Sequence, residues 1–319
     1  MTDRVDGRLR LTILGGFLGS GKTTWLRHQL FAKTYGSVHV IVNEAAAAPV
    51  DDALLGGAQD LTLLAGACVC CAAKDQLQQC LLDLCDARSA TGPGARLENV
   101  VLEASGLADP GAIMQAIQTH PVLARQIRVV ETIVIVDVVN APALIQQEPL
   151  SRRQIEAADW LILTKTDTAS APQIATLCAT LRLLAPGAEQ SAVAFGSPLA
   201  WEPPQGGEPI PLPESDGADM APITAHRLDL GETPDWTAFT VWLSALLYVH
   251  GDQIVRVKGV VRTPAGRLLL QTVRRSVQAP EILPDAAPCP TDNSIAVIGR
   301  GTDQGQLARS LARFVSPAS

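Results

Sequence analysis

The chain has 319 residues, 47% of them hydrophobic, enough to bury one large core or two modest ones, and the length favours two domains. Its formal net charge of -7 argues against nucleic acid or an anionic membrane as a partner, because either needs a basic face. No apolar run reaches the roughly 18 residues that span a bilayer. The opening MTDRVDGRLR is charged where a secretory signal would be apolar, so a cytoplasmic location is expected. Seven cysteines, three of them within four positions, do not make the disulfide framework of a small secreted domain, and reduced thiols are expected.

Short apolar runs alternate with helical patterns through the first half, which predicts a parallel sheet covered on both faces. The expected strands are Leu9 to Leu14, Val38 to Val42, Asn99 to Glu103, Thr132 to Asp137, Trp160 to Thr164 and Ser191 to Phe195. They give a doubly wound, mostly parallel α/β domain over residues 1–195. Residues 196–222 are rich in Pro, Gly and acids without helical or strand period, and read as a linker or long surface loop. Beyond it, a helix at Trp236 to Tyr248, strands at Ile254 to Val261 and Arg267 to Val273, and a helix at Gln304 to Phe314 predict a smaller α+β domain over 223–319.

The strongest chemical pattern is Gly16-Phe17-Leu18-Gly19-Ser20-Gly21-Lys22-Thr23, followed by Thr24. It follows an expected strand and opens an expected helix, as a phosphate-binding P-loop requires. The glycines let backbone amides close around a β-phosphate at the positive end of the helix. Lys22 reaches the β- and γ-phosphates and the Thr23 hydroxyl ligates Mg²⁺. Thr164-Lys165-Thr166-Asp167 ends a later strand, where α/β sheets place ligand-contacting loops. A carboxylate at Asp167 accepts two hydrogen bonds from the N1 and N2 protons of guanine, which adenine lacks, so the nucleotide is read as GTP. Thr164 stands where Asn is usual, and a hydroxyl does not copy both the donor and the acceptor of an amide. On the tetrapeptide alone, Asp167 also reads as an ordinary cap of the following segment. Glu103-Ala104-Ser105-Gly106 ends another strand, where P-loop enzymes place a metal-associated carboxylate and a glycine that senses the γ-phosphate. Asp109 and Pro110 read as the N-cap and first residue of the next helix.

Cys68, Cys70 and Cys71 lie between the first switch region and a helix expected to begin near Lys74. Deprotonated thiols this close together suit a soft or borderline ion such as Zn²⁺, Cu⁺ or Co²⁺, with one further ligand needed for four-coordination. The spacing alone leaves open that they are small buried hydrophobes beside a turn. Cys80 and Cys85, on an apolar helix face, and Cys178 and Cys289 read as packing residues. Of five scattered histidines, His120 follows the helix after the second switch and is placed to complete a metal site, although a lone His is more commonly structural.

GGFLGSGKTT, CVCC, EASGLADP, TKTD and Arg256-Val257-Lys258-Gly259 occur in the order found in the CobW-like family of P-loop GTPases, which the chain resembles over nearly its whole length. The resemblance implies slow GTP hydrolysis, GTP and Mg²⁺ as ligands, and a cargo metal such as zinc at Cys68, Cys70 and Cys71 next to the switch. It also implies mutual support between GTP and metal binding and delivery to a client metalloprotein chosen by the C-terminal domain. One departure stands out. After Asn43-Glu44 the family shows Phe-Gly-Glu, whereas this chain has Ala45-Ala46-Ala47-Ala48-Pro49. The glutamate is missing at Ala47, while Glu44 remains as a candidate metal ligand and Asp51 is acidic a little later. Two other readings stay open: an activator of one metalloenzyme that carries no metal itself, and a nucleotide-binding regulatory module with structural or redox-sensing cysteines. Oligomeric state is not legible.

Overall fold

The computed structural model describes residues 7–44, 60–65, 71–90, 97–212, 223–232, 234–251, 253–273, 275–277, 280–283 and 292–315. The chain divides into two compact units, one spanning Arg8–Pro213 and the other formed mainly by Glu214–Ser319.

In the first unit the strands are β1 (Leu9–Gly16), β2 (Val38–Glu44), β3 (Asp60–Ala65), β4 (Asn99–Glu103), β5 (Ile127–Asp137), β6 (Trp160–Thr164), β7 (Glu189–Ala194) and β8 (Ser197–Pro198). They form one sheet in the order β3-β2-β4-β1-β5-β6-β7-β8, parallel throughout except for the β7–β8 hairpin. β1 is buried on both faces at every residue but Arg10, the mark of a central parallel strand covered by helices on both sides. The helices are α1 (Lys22–Phe31), α2 (Cys71–Ala90), α3 (Pro110–Gln118), α4 (Leu123–Gln126), α5 (Ala141–Gln147), α6 (Pro149–Glu156) and α7 (Ala171–Leu184).

The chain runs from β1 out to β2 and β3, returns to insert β4 beside β1, then lays β5, β6 and β7 on the other side. The direction of winding therefore reverses at β1, and α/β sheets bind ligands at the carboxyl ends of strands beside such a switch point. That edge brings together the ends of β4, β1, β5 and β6: Leu14 pairs with Glu103, Gly16 with Ile135, and Asp137 with Thr164.

Some expectations need correction. β3 is a sheet-edge strand held by β2 alone, and β5 begins five residues before Thr132. The last strand stops at Ala194 because Phe195 takes a left-handed φ of 51° and leaves the sheet. The helix expected near Lys74 begins at Cys71. Residues 196–212, within the stretch read as linker or surface loop, run along the first unit. Trp201 and Leu212 pack on the core around Leu177 and Leu181, and the Ile210 amide donates to the Thr180 hydroxyl at 2.9 Å.

The second unit is α+β. Strands β9 (Ile223–Asp229), β10 (Ile254–Thr263), β11 (Gly266–Val273), β12 (Ser276–Val277), β13 (Glu281–Leu283) and β14 (Ser294–Arg300) make an antiparallel sheet in the order β12-β11-β10-β14-β9, with β13 also on β11. Helices α8 (Trp236–His250) and α9 (Gln304–Val315) contribute Phe239, Trp242, Leu243, Leu307 and Leu311 to its core. Asp235 caps α8, accepting from the Thr237 and Ala238 amides at 2.9 and 3.1 Å. The glycine of Arg256-Val257-Lys258-Gly259 has a packing reason. A Cβ there would lie 2.8 Å from the Ile295 Cα, so only glycine lets β14 approach β10 this closely.

Candidate nucleotide site

Gly16 ends β1 with φ 133°, and a Cβ there would sit 2.5 Å from the Ile135 carbonyl oxygen. Gly19 and Gly21 also have left-handed φ, 73° and 96°, so the loop closes in a shape that side chains would strain. Gly21 then hands over to α1, whose first residues are Lys22, Thr23 and the exposed Thr24. The Lys22 ammonium folds back to donate to the Gly16 and Phe17 carbonyls at 2.9 and 3.1 Å. Ser20 is 1% exposed, and its hydroxyl has no hydrogen-bond partner among the described residues.

Glu103, buried at the end of β4, accepts a 2.6 Å hydrogen bond from the Thr23 hydroxyl. Strand order dictates the contact, because β4 lies directly beside β1, from which the P-loop springs. Gly106 packs flat on that loop: a Cβ would lie 2.6 Å from the Leu18 Cδ2 and 2.7 Å from its backbone nitrogen. The Gly106 and Ala108 carbonyls are held by the buried amide of Gln154 on α6, at 3.1 and 2.8 Å. Asp109 caps α3 as expected, accepting from the Gly111 amide at 2.9 Å, and pairs with Arg153 at 3.3 Å.

On the other side of β1, the Thr164 hydroxyl donates to the Ser20 carbonyl at 2.8 Å, supplying a donor to the P-loop although it is not an amide. Lys165 is a non-glycine residue at φ 59°. Its ammonium reaches the Gly19 carbonyl at 3.1 Å and the Asp137 carboxylate at 2.5 Å, fastening the loop after β6 to both the P-loop and β5. Asp167 stands in the short 3-10 turn Thr166–Thr168 that follows.

Asp137 was expected only as the end of a strand. Burial pushes its carboxyl up, but hydrogen bonds from Lys165, the Asn140 side chain and the Val139 amide, with the Lys165 charge, outweigh that and hold it below the ordinary range. Gln154 was likewise unexpected. Neither belongs to a motif: β5 beside β6 brings Asp137 to Lys165, and the packing of α6 brings Gln154 to the loop after β4.

Cys68 and Cys70 lie outside the described residues, as do Ala45–Ala48, Asp51 and Cys289. Cys71 is the first residue of α2, and Glu44 is the last of β2, in register with Ala65 of β3. The connection bearing the cysteines thus joins the carboxyl end of β3 to α2. Among the described residues no three His, Cys, Asp or Glu groups are gathered as a metal set. His120 accepts from the Val122 and Leu123 amides through Nδ1, both at 3.3 Å, which is a capping role. Cys85 and Cys178 are buried, and burial raises the thiol pKa of both, as packing cysteines should show. No helix among the described residues is long and apolar enough to cross a membrane.

A nucleoside phosphate fits these residues. Gly16 has no room for a side chain, Gly19 and Gly21 hold left-handed φ with no close contact around them, the buried Ser20 hydroxyl has no hydrogen-bond partner among the described residues, and an ammonium and a hydroxyl-carboxylate pair flank the same strand end. Magnesium would be held by the Thr23 hydroxyl, with Glu103 behind it, and would supply charge neutralisation between phosphate oxygens.

Comparison with known proteins agrees. Residues 10–191 match the family model described as CobW/HypB/UreG, nucleotide-binding domain, and residues 223–315 match the Cobalamin synthesis protein cobW C-terminal domain. The chain is 38% identical over 162 residues to the zinc chaperone YjiA of Escherichia coli, covering 50% of each chain. It is 29% identical over 179 residues to the zinc-regulated GTPase metalloprotein activator 1 of Schizosaccharomyces pombe, covering 54% of this chain and 42% of that one. These matches span about half the length of the curated relatives. In fold, the chain superposes on the crystal structure of the Zn(II)-bound YjiA GTPase from E. coli with a TM-score of 0.63 at 22% identity, over 96% of this chain and 99% of that one. The chain therefore belongs to the CobW family, with a nucleotide-binding domain of the P-loop GTPase class and a CobW C-terminal domain.

Proposed function

We propose that this protein is a GTP-dependent metallochaperone of the cytoplasm. It binds and slowly hydrolyses GTP with Mg²⁺, its nucleotide state sets its hold on zinc or a related ion such as Co²⁺, and it passes that ion to a client metalloprotein recognised by residues 223–319. The observation that carries the nucleotide half is the 2.6 Å contact of Thr23 with buried Glu103, one strand from the P-loop lysine. It supports reading Thr23 as a Mg²⁺-binding hydroxyl, with Glu103 as its supporting carboxylate, beside the β- and γ-phosphates.

Asp167 reads the guanine edge, and Lys165 with Asp137 fixes the turn that presents it. Gly106, pressed on Leu18 and tied through its carbonyl to Gln154, is positioned to be displaced when a γ-phosphate enters. None of Lys22, Thr23, Glu103 and Gly106 is a general base for an attacking water, which fits slow turnover or activation by a partner.

The metal half rests on Cys68, Cys70 and Cys71 with Glu44 as a candidate fourth ligand, and on the zinc-related names of the relatives. β2 and β3, which lead into the segments bearing these residues, end on the same sheet edge as β1. A two-state switch there needs a coupling of about 1 to 3 kcal/mol to change metal affinity roughly 5- to 150-fold.

The test is single-turnover hydrolysis of GTP and ATP by the reduced chain with Mg²⁺. The expected result is slow, GTP-selective turnover that is lost in Lys22→Ala and Thr23→Ala. Equal turnover of ATP, or turnover that survives both substitutions, would remove the nucleotide reading.

A further inference from the structure

The β7–β8 hairpin pairs Val193 with Pro198 and Ala194 with Ser197, so Phe195 and Gly196 are its two turn residues. Both have left-handed φ, 51° and 91°. That is the turn geometry for which Asn-Gly or Gly-Gly is the low-strain choice, and a bulky aromatic at its first position is an outlier. Packing does not compensate, because Phe195 is 90% exposed. A strained residue whose side chain touches almost nothing points to function rather than folding.

The location of the turn says which function. Leu163 pairs with Ala192 as the last rung between β6 and β7, so the loop at Thr164 and Lys165 and the Phe195-Gly196 turn leave the carboxyl ends of two adjacent parallel strands. Gly196 is pressed against α1, where a Cβ would lie 3.0 Å from the Thr24 carbonyl and 2.7 Å from the His28 Cβ. Ser197 and His28 add a 3.0 Å hydrogen bond. The turn is thereby fixed between the P-loop helix and the loop carrying Asp167.

We infer that Phe195 is a stacking platform for the purine ring: Asp167 reads the edge of the base and Phe195 covers one face. The inference rests on the guanine-nucleotide reading above and adds a binding residue that lies in none of its motifs. Stacking on an aromatic ring is tolerant of base identity, so Phe195 supplies affinity and Asp167 supplies selectivity.

The test measures GDP affinity with Mg²⁺ by calorimetry on the full chain for the parent, Phe195→Tyr, Phe195→Ala and Phe195→Asn, together with the melting temperature of each without nucleotide. Loss of the ring should weaken GDP roughly 5- to 150-fold in the Ala and Asn variants, while Tyr stays within about threefold of the parent. Asn tolerates the left-handed turn, so its melting temperature should equal or exceed the parent's while its affinity falls. A purely structural role would move both readings the same way. Unchanged GDP affinity in both Ala and Asn variants overturns the inference and leaves the nucleotide reading standing. A parent chain that does not bind GDP overturns both.

Discussion

The pairing of Asp137 with Lys165 makes a quantitative prediction about how the loop bearing Asp167, proposed to read guanine, is held. Lys165 carries a left-handed backbone that costs a non-glycine residue about 1–2 kcal/mol. Its ammonium is tied to a carboxylate of 5% side-chain exposure at 2.5 Å and to the Gly19 carbonyl at 3.1 Å. With the lysine itself 43% exposed, solvent screening limits the ion pair to about 1 kcal/mol. Pair and strain are therefore of similar size, and losing the pair lets the turn relax and carry Asp167 out of register. Asp137→Asn keeps one acceptor oxygen for the Val139 and Asn140 backbone amides but removes the charge and the acceptor of Lys165 and the Asn140 side chain, whereas Lys165→Met removes the cation. Each should weaken GDP about tenfold, equivalent to about 1.4 kcal/mol. The double variant should be no weaker than the weaker single one, since both remove the same interaction. Calorimetric titration of GDP into the four proteins gives the cycle. Because the Asp137 carboxyl lies below its ordinary value of 3.8, it is charged throughout the neutral range. Its contribution is complete above that value and is lost only as pH falls through the lower, folded-state value, so GDP affinity from this pair should be flat between about pH 5 and 7. Strictly additive losses, or full affinity in Lys165→Met, would refute the reasoning.

Gly106→Ala would place a methyl 2.7 Å from the Leu18 backbone nitrogen, so the loop after β4, proposed as a switch, must lift from the P-loop. Turnover of GTP should fall at least tenfold while GDP affinity stays within about threefold, read by single-turnover kinetics and calorimetry. Gln154→Leu removes the donor to the Gly106 and Ala108 carbonyls and leaves both short of a buried partner, which should lower stability by about 1–3 kcal/mol in urea titration. The Cys85 thiol is pushed by burial from 9.0 up to about 11, with Arg88 opposing and Asp86 adding. The native protein then holds this proton between about pH 9 and 11 while the unfolded chain releases it, so stability falls as pH rises across that window. A Cys85→Ala variant should show a shallower alkaline fall in melting temperature.

The elements proposed to carry the chemistry were readable because short-range pattern decides them. The P-loop needs three glycines and a lysine at fixed spacing, and Glu103 and Thr164 end strands that announce themselves as apolar runs. Strands that depend on distant neighbours were not readable. β3 is completed by β2, β9 by β14, and β14 becomes interior only when β10 and β9 flank it. Asp137 looked like the last residue of a strand, and its partner Lys165 is 28 positions away, joined to it only because β5 and β6 are adjacent. Gln154 reaches the loop after β4 across 48 positions from helix α6. Phe195 looked like the last apolar residue of β7, since nothing local distinguishes it from a strand residue until the hairpin fixes its φ. Residues 196–212 carry a linker's composition, yet Trp201 and Leu212 find apolar surface on the first unit.

The central claim, that nucleotide state governs metal hold at Cys68, Cys70 and Cys71, is tested most directly by zinc titration of the reduced chain against a competing chelator. The titration is run without nucleotide, with GDP and with a non-hydrolysable GTP analogue, beside a variant with all three cysteines changed to serine. The account predicts one tight site that needs the cysteines and whose affinity differs roughly 5- to 150-fold between the GDP and GTP-analogue forms. Zinc affinity that is the same in every nucleotide state, or no tighter than in the serine variant, would contradict it.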